Sequence, residues 1–271
     1  MDVVGYALLA SCAAGLGAMG GLGGAILLVP ALVVSGMPAA EAAPLGLISV
    51  AAGSIAAGAR QLRERSTNHR LGVATEVVGS LGAVVGATLS GLVGDRVLTF
   101  VLAAVAATAA IASFRPATAV TPPATEADVE VGERVGSLAG VCRVDGERVA
   151  YVPRRLALGL SLMGVAGLIA GTAGASGGFI KTPATSELMA VPARVAASTT
   201  TFTVGVTSSA ALIVFAIDGR IDARTSCAVI AGSLVGGRVG AALQSRLADD
   251  RLRRVLGALL VVVAVVLVVR A

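Results

Sequence analysis

Charge, aromatic rings and histidine are what this chain has least of. Of its 271 residues only 14% are charged, against 56% hydrophobic, and the mean hydropathy is +0.89. A soluble domain needs far more charge to cover its surface. Trp is absent, with two Tyr and five Phe, so bases have no stacking platform and the net charge of +5 does not point to nucleic acid. The arginines sit in short loops between apolar runs, where they set topology. The one histidine, His69, and three cysteines (Cys12, Cys142, Cys227) with no CxxC pair indicate neither a zinc site nor a disulfide framework. The phosphate-loop pattern G-x-x-x-x-G-K-[ST] is missing, and no cofactor is expected. Leu9-Ala10-Ser11-Cys12 superficially fits a lipoprotein cleavage box, but the segment before it carries Asp2 and no basic residue.

What the chain does have is long apolar runs, which predict a helical integral membrane protein. Val3 to Ala40 is uncharged over 38 residues, too long for one span. A Gly cluster splits it into arms of about 3–18 and 22–35, each roughly 21–24 Å long as helix and short of a ~30 Å hydrocarbon core. That favours a re-entrant or broken hairpin. Spans follow at 42–59, 71–94 and 97–114. Residues 115–155 form a charged linker, expected to be a connecting loop, with a small hairpin over 141–152 turning at Asp145-Gly146. A second Gly-interrupted run, 156–186, carries one charge, Lys181, and spans at 195–217, 225–244 and 255–269 complete the chain.

The Gly-rich element occurs twice, as G-A-M-G-G-L-G-G-A-I-L-L-V-P from Gly17 and as G-T-A-G-A-S-G-G-F-I-K-T-P from Gly171. Gly177-Gly178 lie 154 residues after Gly23-Gly24, and Pro192 lies 154 after Pro38. Gly79-Ser80-Leu81 recurs as Gly232-Ser233-Leu234. The expectation is two repeats, 1–114 and 156–271, each a Gly-rich re-entrant or broken hairpin plus three transmembrane helices. With that count the repeats are inverted, and fifteen arginines fall on the side of the 60–70 loop and linker, against four (Arg96, Arg220, Arg224, Arg270) on the other. The positive-inside rule then makes the linker cytoplasmic and the protein a multi-pass cell-membrane protein. Broken helices at matching positions of two halves are the best pointer in a sequence to a transporter's binding site.

These residues resemble the sulfite exporter TauE/SafE family, also called the toluenesulfonate uptake permease family. Its repeats carry G-x-x-x-G-x-G-G-G-x-x-x-V-P, then G-x-P-x-x-x-A and a Thr-Ser pair. The matching positions are Gly20, Gly21, Gly23 and Gly24 with Val29-Pro30 and Gly36-Met37-Pro38, then Gly174, Ser176, Gly177 and Gly178 with Lys181-Thr182-Pro183, Val191-Pro192 and Thr199-Thr200. Gly232 to Gly240, with Arg238 inside, is similar to the family's G-x-x-x-G-x-R-x-G span. Ser176 stands where the family has Gly, Pro44-Leu45-Gly46 replaces the first Thr-Ser pair, and the linker is longer. The resemblance implies transport of small anions such as sulfite, sulfonates and related organosulfur compounds, usually by export.

A small oxyanion in a low-dielectric site needs donors and positive potential. Helix N-termini supply both, and a new arm begins after each Gly cluster, near Ala25 and Phe179. The candidate substrate-binding residues are Gly20, Gly21, Gly23, Gly24, Gly174, Ser176, Gly177, Gly178, Lys181, Thr182, Thr199, Thr200 and Arg238. Lys181 would add charge to the site, snorkel to a loop, or face a water-filled cleft without touching substrate. Arg238 would touch substrate, snorkel toward Arg246, or cap carbonyls of a neighbouring helix. Glu76 would pair with Arg238 or carry a coupling proton, or lie shallow enough to reach the interface. Threonines 199–201 and 203 offer hydroxyls, which also bond back to their own helix. Gly79, Gly82, Gly86, Gly232, Gly236 and Gly240 read as close-packing seams. The competing class is a membrane assembly subunit or an intramembrane enzyme. Ser176 is its one tempting nucleophile, but no preceding strand and no histidine base accompany it. The expected partners are a small anion and the lipid bilayer; a homo-oligomer is open.

Overall fold

A computed structural model describes residues 2–20, 24–63, 65–114, 130–144, 147–244 and 249–270. The first half contains α1 (Val3–Gly20), α2 (Ala25–Val34), α3 (Ala39–Arg63), α4 (His69–Leu92) and α5 (Asp95–Phe114). Three short strands follow, β1 (Gly132–Glu133), β2 (Gly140–Val144) and β3 (Glu147–Tyr151). The second half contains α6 (Leu156–Ala173), α7 (Gly178–Pro183) with a π-helical turn (Ala184–Leu188), α8 (Ala193–Ile217), α9 (Ala223–Gln244) and α10 (Asp249–Arg270). Among the described residues five helices, α3, α4, α5, α6 and α8, are long and apolar enough to cross a membrane.

Both glycine-rich runs are interrupted helices. In the first, α1 ends at Gly20; Gly21 and Gly23 lie outside the described residues. Gly24 opens α2 hard against α1, where a Cβ would sit 2.6 Å from Ala14 Cα. In the second, Gly174 closes α6 at φ +67°, a left-handed conformation that favours glycine. A Cβ there would also lie 2.2 Å from Ala43 Cα, so the break is seated on α3. The second arm is short. It is a six-residue α-helix that loosens into a π turn after Pro183, which has no N–H to continue the ladder. The half-charge expected of a full helix N-terminus near Phe179 is correspondingly weaker.

The halves interlock by exchange. α1 packs chiefly on α9 and its counterpart α6 on α4, while α3 meets α8 and α5 meets α10. The glycines expected as seams line these crossings. A Cβ on Gly82 or Gly86 would lie 2.2 or 2.1 Å from the carbonyl oxygens of Gly164 and Leu168; one on Gly232 or Gly236 would lie 2.1 or 2.0 Å from those of Ala7 and Ser11. Each step of four on one helix matches a step of four on the other, so α4 runs parallel to α6 and α9 parallel to α1. Only glycine lets backbones approach so closely. α3 and α8 are antiparallel: Ser66 bonds Ser198 at one end (2.9 Å), and Arg220 reaches the Ala40 carbonyl at the other. At that second end Asp95 Oδ1 accepts from Ala40 N at 3.0 Å, and the Arg220 guanidinium lies 4.4 Å over the Phe215 ring.

The main core surrounds α2, whose Ala25–Pro30, Leu32 and Val33 are all buried. Val73, Val77, Leu81 and Val85 form an exposed stripe along α4 at helical spacing. An apolar surface of this kind is stable only in lipid.

The linker carries more structure than a connecting loop with one small hairpin. The hairpin over 141–152 is present, extended by β1 into a three-stranded antiparallel sheet; its Asp145-Gly146 turn lies outside the described residues. Cys142, Val149 and Tyr151 share a core with Leu71, Met163, Met189, Val191, Val195 and Ala196. The sheet therefore caps the ends of α4, α6 and α8, and burying these side chains stabilises it where three short strands alone are marginal.

Candidate functional site

Lys181 is buried to 1% exposure within α7, directly after the second break. Its Nζ donates to Glu76 Oε2 on α4 at 2.8 Å and to Thr207 Oγ1 on α8. Thr207 Oγ1 also lies in hydrogen-bond reach of Glu76 Oε1 and, at 2.9 Å, of the Thr203 carbonyl. Ser80, one turn along α4, donates to Glu76 Oε1 at 2.9 Å. One cation, one carboxylate and two hydroxyls therefore form a closed cluster across three helices. An unpaired ion at such depth costs several kcal/mol, which the pairing offsets.

This arrangement settles two alternatives from the sequence. Glu76 does not pair with Arg238, because Lys181 occupies the carboxylate; Arg238 is exposed on α9. Nor is Glu76 at the interface, since it is 4% exposed and seven residues inside α4, about 10 Å along the axis. Gly79 has a double role. Its carbonyl meets Gly167, and a Cβ on it would stand 3.1 Å from Lys181 Nζ and 3.3 Å from Glu76 Oε2. The missing side chain leaves room beside the pair.

The remaining candidates divide. Ser176 is buried in the break, and its Oγ accepts from Gly178 N at 3.2 Å, shaping the turn between Gly174 and Gly178. The buried hydroxyls Thr182 Oγ1 and Thr200 Oγ1 have no hydrogen-bond partner among the described residues. Such orphans are uncommon and mark places where a ligand or water completes the set. Thr199 Oγ1 instead accepts from Asn68 N at 3.0 Å, while Thr201 and Thr203 donate back to the carbonyls of Ala197 and Thr200. Thr207 and Ser80 were not singled out in the sequence. A usable signal existed for the cluster as a whole: Lys181 is the chain's only lysine among its 21 basic residues.

Asn68 ties this region to the linker sheet. It caps α4 through Oδ1, which accepts from Leu71 N at 2.9 Å, and its Nδ2 donates to the Leu138 carbonyl (2.9 Å) and Tyr151 Oη (3.0 Å). Burial pushes the Tyr151 phenol up to about 12, against the opposing pull of the Asn68 hydrogen bond. Glu133 of β1 meets the His69 ring at 2.8 Å and Arg70 Nε at 3.7 Å.

A groove of about 700 Å³ opens between α5, α6 and α7. Its walls are mainly apolar, including Val101, Val105, Leu162, Ile169 and Phe179, and it does not contain the lysine pair. α7 turns Ile180, Pro183 and Ala184 toward it and Lys181 the other way, toward α4 and α8. An open apolar groove suits hydrocarbon better than a small oxyanion.

Interrupted helices in both halves, an exposed apolar girdle and a charged cluster sealed among the spans define a multi-pass integral membrane protein. Its family is shown by a match over residues 6–267 to the model of the Sulfite exporter TauE/SafE, so the chain belongs to that family of membrane transporters. No curated protein and no solved structure matches it.

Proposed function

We propose that this chain is a secondary carrier of small oxyanions of the sulfite and sulfonate kind, working by alternating access around its two helix breaks, with export as the working direction. The observation that carries the reading is the buried lysine beside the second break; Thr182 next to it in α7 and Thr200 on α8 add buried hydroxyls with no partner among the described residues. An ammonium buried among apolar helices becomes a binding charge for an anion that must leave water once its carboxylate partner gives way. Three ammonium protons are available, and Glu76 and Thr207 take two. The antiparallel course of α3 and α8 supports inverted halves, with the linker sheet on the cytoplasmic side by its arginines. A carrier reading fits Ser176 better than catalysis does, because its Oγ is engaged by the Gly178 N–H inside the turn.

The test is reconstitution in liposomes with a panel of sulfite, sulfonates, sulfate and carboxylates. Saturable flux of the sulfur oxyanions is expected, and Lys181→Ala should remove anion binding while the protein still inserts. Cation flux without anion flux, or unchanged anion affinity in Lys181→Ala, would overturn the assignment.

A further inference from the structure

We propose that the carrier moves one proton with each anion, by exchanging the Glu76 carboxylate on Lys181 for the transported anion as Glu76 takes up the proton. The inference rests on the carrier reading above and goes beyond it, because it fixes the coupling ion and the charge moved.

Charge balance in a dry site is the starting point. With Lys181 bonded to Glu76 the cluster is neutral, and the lysine's positive charge is already spent. An anion arriving at that pair would leave the site with one net negative charge, which a low-dielectric interior does not tolerate. If Glu76 gains a proton as the anion arrives, the sum is again zero: ammonium, anion and neutral carboxyl. The proton comes from bulk water on the side the site faces and leaves with the anion on the other.

The hydroxyls around Glu76 suit both states. With Glu76 ionised, Thr207 donates its O–H to Oε1 and accepts from Lys181; Ser80 donates as well. With Glu76 protonated, the carboxyl donates to Thr207 Oγ1, whose own proton turns to the Thr203 carbonyl 2.9 Å away. A single hydroxyl rotor thus satisfies the carboxyl before and after. No other carboxylate competes for the role. Around Glu76, α6 bears no ionisable side chain and α8 only Arg194 in its first turn. α7 with its π turn brings Lys181 and Glu187, the latter on the groove side, and α4 adds His69 and Arg70 at its start. A lysine also suits the exchange better than an arginine, being a point charge that can trade one oxygen partner for another without a planar fork to re-seat.

The consequence is electroneutral symport, whose direction is set by the product of the proton and anion gradients and not by membrane potential. A cell that accumulates the anion exports it with a proton, and an inward proton gradient opposes that flow. The probe is methanesulfonate, a strong-acid anion that carries no proton of its own, in proteoliposomes of the full chain with the potential clamped by potassium and valinomycin. A pH step of one unit, acid outside, should drive internal methanesulfonate to about tenfold its external level, the ratio at which the two gradients balance. Changing the clamped potential should leave that ratio in place. Glu76→Gln combined with Lys181→Arg, whose guanidinium keeps its charge where a stranded lysine would shed it, should lose the pH-driven accumulation, and its residual flux should follow the potential. Wild-type flux that follows the potential and ignores the pH step overturns the exchange while leaving the carrier standing. Absence of flux for methanesulfonate and sulfite alike removes the carrier reading as well.

Discussion

Removing one member of the Lys181–Glu76 pair should make stability depend on pH, with opposite sign for the two members. In Lys181→Met the carboxylate loses its counter-ion, and at 6% side-chain exposure it cannot recover solvation. Taking up a proton is the cheaper course. Against an ordinary Glu value of 4.3, neutralisation at pH 7 costs about 3.7 kcal/mol. In Glu76→Gln the lysine, 1% exposed, gives its proton up, and from an ordinary 10.4 that costs about 4.6 kcal/mol at pH 7. Both lie in the range of about 3–5 kcal/mol for a broken buried pair. In Lys181→Met the folded state holds a proton that the unfolded state releases, so stability rises as pH falls from 9 toward 5. In Glu76→Gln the folded state lacks a proton that the unfolded state holds, so stability rises as pH climbs toward 10. Each slope is limited to about 1.4 kcal/mol per pH unit by one proton. The double variant has no ion to strand, and should be flat with pH and within about 1 kcal/mol of the wild type. Thermal loss of helical circular dichroism in detergent at pH 6, 7.5 and 9 reads all four proteins. Flat or same-signed profiles for the single variants would mean that water reaches both groups and that the pair is not sealed.

The glycine seams predict matched damage in the two halves: Gly86→Ala and Gly236→Ala each force a Cβ to about 2 Å from a facing carbonyl and should cost roughly 1–3 kcal/mol, whereas Gly91→Ala, in open space, should be near neutral in the same melting assay. Tyr151 should ionise near pH 12 in a tyrosinate absorbance titration, which no Trp obscures. Because its folded value lies above the ordinary 10, the docking of the linker sheet should be intact below pH 10 and weaken progressively from 10 to 12, an alkaline loss that Tyr151→Phe abolishes.

The architecture was legible because hydropathy and glycine act locally. The breaks at the two Gly clusters and the approximate span limits follow from runs of residues and their neighbours. The offset of 154 residues disclosed the repeat for the same reason. The site was less legible because ion pairing depends on which faces turn inward. Glu76 and Lys181 are 105 residues apart, and neither helix declares its buried side through a strong polar pattern. Arg238 is as deep in its apolar run as Lys181 is in its own, yet it lies exposed on α9. Depth along a helix axis and distance from lipid are separate coordinates, and only the first can be counted from residues. The docking of Cys142 and Tyr151 was hidden by their setting in a charged linker. Their apolar partners come from α4, α6 and α8 and the turn before it, no one of which predicts the others.

The repeat is one of packing and not of chemistry. Counting back 154 residues from Lys181 gives Leu27, and from Thr207 gives Gly53; counting 153 forward from Glu76 gives Val229. Leu27 and Val229 are buried in the main core. Where the second arm holds an ion pair, the first holds hydrocarbon, and of the polar set only Ser233, counterpart of Ser80, keeps a buried partner, Ser49 at 2.8 Å. The two arms differ in form as well. α2 is a ten-residue helix buried on nearly every side, whereas α7 is six residues long and gives way to a π turn. Apolar close packing resists displacement in every direction, while a short arm that carries a buried ion pair is where the proposed exchange of counter-ion would act. On the carrier reading proposed above, the first break would be the fixed wall and the second the part that responds to substrate.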